Sequence, residues 1–100
     1  MATTSKAMFR GAFATSNATL YPVPEGTTAV VTDIWVANTS ATAGTFTIKL
    51  DGVEIASSMA ISANGVVNLT PKQVLGATKL IEGSASANTI KIHISGVEIV

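Results

Sequence analysis

Along much of the chain apolar and polar residues alternate one for one, the period of strands with one face in a core and the other outside it. The strongest such run spans residues 27–37, with Val30, Thr32, Ile34 and Val36 on one face and Val31, Asp33, Trp35 and Ala37 on the other. Two further runs share the pattern. Phe46, Ile48 and Leu50 alternate with Thr45, Thr47 and Lys49, and Ile90, Ile92 and Ile94 alternate with Lys91, His93 and Ser95. Residues 8–15 also alternate, with Phe9, Gly11 and Phe13 opposed to Met8, Arg10 and Ala12. Gly11 weighs against a helix there, although Phe9 and Phe13 also stand four apart. Asp51-Gly52 between two such runs predicts a two-residue hairpin turn, whose central positions require positive φ.

The intervening segments complete the outline. Residues 1–7 read as an arm without order of its own. Leu20-Tyr-Pro-Val-Pro24 is extended, because each proline forces the residue before it out of the α region. Glu25-Gly26 is a turn and Asn38 to Gly44 a loop of small residues. A return strand is predicted from Val53 to about Ser58, and another from Ile61 to Leu69 with a break at Asn64-Gly65. Pro71 to Leu75 predicts a single helical turn ended by Gly76. Leu80 to Ala85 and Thr89 to Ile99 are the closing strands. Seven or eight short strands at this spacing specify an all-β chain, a single antiparallel β-sandwich of jelly-roll type. Residues 19–100 form that domain, and residues 1–18 are an N-terminal arm or first edge strand. Thr47 to Ile55 is echoed by Thr89 to Ile99, which carries two extra residues. Both are read as hairpin-like segments shaped by the same turn chemistry.

Composition agrees with strands. Val, Ile and Thr supply 33 of the 100 residues, and β-branched side chains fit a pleated surface better than a helix. Ala, Thr and Ser supply 38. Only 12% of residues are charged, and the net charge is zero. A neutral chain lacks the basic face of a nucleic-acid binder, so no nucleic-acid partner is expected. No apolar run reaches the ~20 residues of a membrane helix, so no membrane partner is expected either. No apolar stretch of the signal-peptide kind follows Met1 to Lys6, and no secretory leader is expected. A surface built of small neutral residues suits a chain that works inside an assembly.

Candidate chemistry is sparse. There is no cysteine, hence no disulfide and no thiolate site, and His93 is the single imidazole. It falls on the polar side of its strand between Lys91 and Ser95, as a half-exposed strand histidine does. Asp33, Asp51, Glu54 and Glu98 do not cluster in sequence, and Asp51 and Glu54 fit a solvated hairpin. No serine lies in a nucleophile elbow, and no phosphate-binding or dinucleotide loop occurs. Asn17, Asn38 and Asn68 match the glycosylation pattern only as a Thr-rich chain does by chance. No catalytic residue, metal or cofactor is expected, and no enzyme. Trp35 carries more information. It shares its face with Val31, opposite the aliphatic face, so either the strand is buried on both sides or its second face packs on another subunit. Trp35, Val31, Phe9 and Phe13 are the interface candidates. Trp35 with Tyr21 as a stacking platform for sugars is the alternative.

The stretch from Leu20 to Ser40, with Tyr21-Pro-Val-Pro-Glu-Gly26 leading into Thr28-Ala-Val-Val31 and ending in Asn38-Thr39, resembles small virion proteins of tailed bacteriophages. Thr45 to Gly52 and Ile92 to Ile99 fit the same resemblance, which covers most of residues 19–99. It implies a β-sandwich acting as a non-enzymatic structural component of the virion, by capsid decoration or at the neck, tail or fibre attachment. It further implies a symmetric homo-oligomer, a trimer or higher ring, bound to other virion proteins and made in the host cytoplasm. No functional residues come with it. Residues 1–18 match no part of the pattern. The alternative in a different class is a carbohydrate-binding β-sandwich module of a fibre or cell-surface protein.

Overall fold

In the computed structural model, which describes residues 2–100, every regular element is a strand. They are β1 (Thr3–Ala12), β2 (Ala18–Pro22), β3 (Thr28–Asn38), β4 (Gly44–Leu50), β5 (Val53–Ile61), β6 (Val66–Leu69), β7 (Gln73–Leu75), β8 (Leu80–Ala85) and β9 (Ile90–Ile99). One sheet has the order β1-β9-β3-β6, with β7 also on β3; the other has the order β2-β8-β4-β5. Every pairing is antiparallel. β6 and β7 pair with successive stretches of β3, so together they hold one position and each sheet is four strands wide. This is the order of a jelly roll, in which consecutive strands cross between two packed sheets.

The core lies between the sheets. It takes Ile90, Ile92 and Ile94 from β9, Ile34 and Val36 from β3, and Phe46 and Ile48 from β4. The rings of Phe13 and Phe46 stack across it with centroids 6.0 Å apart. The accessible surface of 5178 Å² matches the ~5,300 Å² expected of a folded chain of this mass. Asp51 (φ 55°) and Gly52 (φ 76°) both take the left-handed conformation. They join Leu50 to Val53 directly, as the two-residue hairpin requires.

The strand of residues 27–37 does not keep one phase. Val31 pairs with Gly96 but Asp33 with Ser95, so Thr32 is an extra residue. Its hydroxyl donates to the Ser95 carbonyl at 3.1 Å. A β-bulge of this kind moves the side chains beyond it to the opposite face. Ala29 and Val31 therefore face the core before the bulge, and Ile34, Val36 and Asn38 after it. Trp35 and Val31 lie on opposite faces, not on a shared one. β1 has a matching irregularity, with Met8 between Ala7↔Ser95 and Phe9↔Ile94. Both bulges flank the same point of β9.

Other segments also differ from their expected form. Residues 3–7 belong to β1 and run along β9 from Thr3↔Ile99, not as an unordered arm. Met1, the start of that expected segment, lies outside the described residues. Residues 73–75 form β7 and not a helical turn. Leu75 pairs with Ala29 and is buried, and one isolated turn has too few hydrogen bonds to compete with a sheet position over a core. β5 continues past a positive-φ Ser58 to Ile61, and the turn at Asn64 and Gly65 separates it from β6. The echo of Thr47 to Ile55 in Thr89 to Ile99 is not structural. The first copy is the β4–β5 hairpin, whereas the second runs straight through Ser95-Gly96 as a central strand.

Candidate functional site

The two sheets turn very different faces outward. On the outer face of β2-β8-β4-β5, Glu82, Lys49 and Glu54 lie side by side in one cross-strand row. Thr45, Thr47 and Ser84 share that face. On the outer face of the other sheet, Val30 stands between Val97 and Val74. Val74 (66% exposed) and Val66 (59%) are open to solvent. A contiguous apolar patch left outside on a sheet face is the informative case, because scattered exposed apolar residues are ordinary.

Trp35 is the largest element of that face and is 50% exposed. The register places His93 opposite it on β9 and Asn68 opposite it on β6. Arg10 on β1 is opposite His93 in turn. A row of guanidinium, imidazole, indole and amide thus crosses four strands. Ala37, Val66 and Ser95 complete a shallow groove of about 480 Å³ around Trp35, His93 and Arg10. Its lining joins an indole, an imidazole and a guanidinium to a serine and two small apolar side chains, a mixture that suits packing against a protein surface.

The chain's one tyrosine is elsewhere. Tyr21 is 5% exposed and points inward from β2. Its hydroxyl donates to the Glu98 carboxylate of β9, so one hydrogen bond ties the two sheets. Lys6 Nζ lies 3.4 Å from the same carboxylate and 5.9 Å from the Tyr21 ring centroid. Burial first, and the Glu98 hydrogen bond and charge next, push the Tyr21 hydroxyl well above the ordinary tyrosine range. These groups satisfy one another.

Of the four interface candidates, Trp35 offers a large exposed side chain. Val31 (0%) and Phe13 (1%) are in the core, and Phe9 is half-buried against it. Trp35 and Tyr21 do not form a pair, because one faces out of the first sheet and the other into the sandwich from the second. His93 is exposed, beside Trp35 and Arg10. Among the described residues no group of three or more His, Asp or Glu is placed to hold a metal ion, and no helix is long and apolar enough to cross a membrane. The sequence pattern does not single out Arg10 as a site residue. Its one signal is a polar position in an alternating segment, which acquires meaning only when the β1–β9 register sets it beside His93.

No protein-family model and no curated protein sequence matches the chain. Solved structures do. The acid-stable capsid of Helicobacter pylori bacteriophage KHP30 contains a chain similar to this one with TM-score 0.60 at 11% identity, covering 100% of this chain and 89% of that one. The Drosophila NLP core, described in connection with pentamer formation and histone binding, is similar with TM-score 0.58 at 14% identity, covering 98% of both chains. At these identities the likeness concerns the fold. The chain therefore has a β-sandwich fold that is found, among other places, in a phage capsid.

Proposed function

We propose that this protein is a non-enzymatic structural component of a tailed-phage virion that assembles as a symmetric homo-oligomer, as decoration on the capsid surface or at the neck or tail. The observation that carries the reading is the outer face of the β1-β9-β3-β6 sheet, where Trp35, Val66 and Val74 are exposed on a chain with few charges. Burying that face against a neighbour removes apolar area from water at roughly 25 cal/mol per Å². The fold shared with a phage capsid chain and the resemblance of residues 20–40 to phage virion proteins support the same reading.

The sugar-binding alternative loses its aromatic pair, since Tyr21 is enclosed and hydrogen-bonded to Glu98. Light scattering coupled to size-exclusion chromatography tests the proposal. A mass that is a fixed multiple of 10.2 kDa over a wide concentration range is the expected result. A chain that stays monomeric at its highest soluble concentration overturns it.

A further inference from the structure

The outer face that carries Trp35 is self-complementary about one particular axis. We propose that two copies of this chain pack these faces together about a two-fold axis running parallel to the strands, between β9 and β3. The proposal rests on the self-assembly inferred above and specifies which surface performs it.

The cross-strand rows select this axis. A two-fold axis parallel to the strands keeps each row at its own level and exchanges left for right. His93 of one copy then meets Trp35 of the other, because the two residues are directly opposite on β9 and β3. Val97 likewise meets the other copy's Val30. Ser95 lies over Asp33, so the hydroxyl faces the carboxylate. Arg10, at the end of its row on β1, comes over Asn68 at the other end on β6. No charge faces its like, and valine faces valine. An isologous contact requires this kind of pairing, in which residue i meets j and j meets i.

The competing axis, across the strands, fails on the same residues. Placed at the middle row of the face, it sends Asp33 and Ser95 onto themselves, so that carboxylate faces carboxylate. It also carries the row containing Arg10 over the row of Val97 and Val30. Arg10 then faces Ser5 of its own strand in the other copy, and the like charges brought together at Asp33 oppose association. The opposite sheet cannot replace this face, since its outer row is Glu82, Lys49 and Glu54.

The area is adequate. β1 and β9 are each ten residues long. At about 3.3 Å per residue and 4.8 Å per strand, four strands present roughly 600 Å² of flat face. Side-chain relief brings this toward the ~800 Å² per partner of a specific interface. An indole stacked on an imidazole at the centre is the aromatic anchor such interfaces use. The contact makes every assembly even-numbered, either a dimer or two rings joined by these faces.

Two charged versions of the full chain test the contact. One carries Val30→Glu with Val97→Glu, and the other Val30→Lys with Val97→Lys. Each is expected to keep the strand signal in circular dichroism and to elute alone as a species of half the wild-type mass or less. Mixed in equal amounts, they are expected to recover the wild-type mass, because the carboxylates introduced in one copy then face the ammonium groups introduced in the other. Charged variants that stay assembled alone, or that fail to recover mass on mixing, overturn the two-fold contact and leave self-assembly through another surface intact. A monomeric wild-type chain overturns both. Trp35 fluorescence gives a reading in the unaltered chain. Its emission is expected to move to longer wavelength as dilution separates the copies, and an emission unchanged through dissociation overturns the contact.

Discussion

The hydroxyl of Tyr21 on β2 donates to the carboxylate of Glu98 on β9, a hydrogen bond between side chains of the two sheets in a half-buried setting. Tyr21→Phe keeps the ring and removes the donor, leaving Glu98 with Lys6 as its remaining side-chain partner among the described residues. A carboxylate deprived of a donor in such a site costs about 1–3 kcal/mol. Urea unfolding at neutral pH is expected to show that loss.

The same pair makes stability fall in alkali. The Tyr21 hydroxyl is held above its ordinary value of 10.0 in the folded chain. As pH rises past that value the unfolded chain gives up the phenolic proton and the folded chain keeps it. The folded state then binds more protons than the unfolded one, and stability declines with pH. This tyrosine is the only one in the chain, so the difference between wild type and Tyr21→Phe isolates its contribution. The variant is expected to lose less stability than wild type across the alkaline range in parallel urea titrations.

Gly96 sits where β9 is hemmed in on both sides. A Cβ there would collide with the Val30 carbonyl oxygen and come within 2.6 Å of Met8 Cε. Met8 is a flexible side chain, but Val30 contributes backbone of β3, which is paired on both sides. Gly96→Ala is expected to destabilise by about 2–3 kcal/mol, as overpacking does. Adding Met8→Ala relieves only one of the two clashes, so the double variant is expected to be no more stable than Gly96→Ala. Thermal unfolding of the three proteins checks this.

Phe13 belongs to the core, stacked on Phe46. Phe13→Ala is expected to cost about 3–5 kcal/mol. Assembly of whatever fraction remains folded should be unaffected, since Phe13 offers no surface to a neighbour. Denaturant titration paired with a mass measurement in native buffer separates the two effects.

At the β4–β5 turn Gly52 has φ 76°. Gly52→Ala places a Cβ in the left-handed conformation and is expected to cost roughly 1–2 kcal/mol. Apart from its chain neighbours, none of the described residues comes within 4 Å of that Cβ, so the loss is conformational. Gly52→Asn, which tolerates this backbone better, is expected to recover part of it in the same unfolding assay.

Local chemistry made much of the architecture readable. Alternation in β4, β8 and β9 follows from a two-residue period over one buried face, and Asp51-Gly52 announces its own turn. What escaped were places where pairing with another strand decides. The bulge at Thr32 exists because Ser95 and Gly96 of a distant strand take up the chain on either side of it. It reversed the phase of half of β3, sending Val31 into the core and Trp35 out of it. β7 escaped in the same way, since Leu75 becomes a strand residue only by lying beside Ala29.

By itself the sequence determined that this is an all-β sandwich with a neutral, small-residue surface, no cysteine chemistry, and one tryptophan whose placement matters. Those properties follow from side-chain period, β-branching and charge, each of them local or summed along the chain. Only the tertiary structure decided that Trp35 stands outside beside His93 and Arg10 while Tyr21 is locked onto Glu98. Those relations depend on register between strands far apart in the chain. Register is set by bulges and core packing together, and neither can be read from one strand alone.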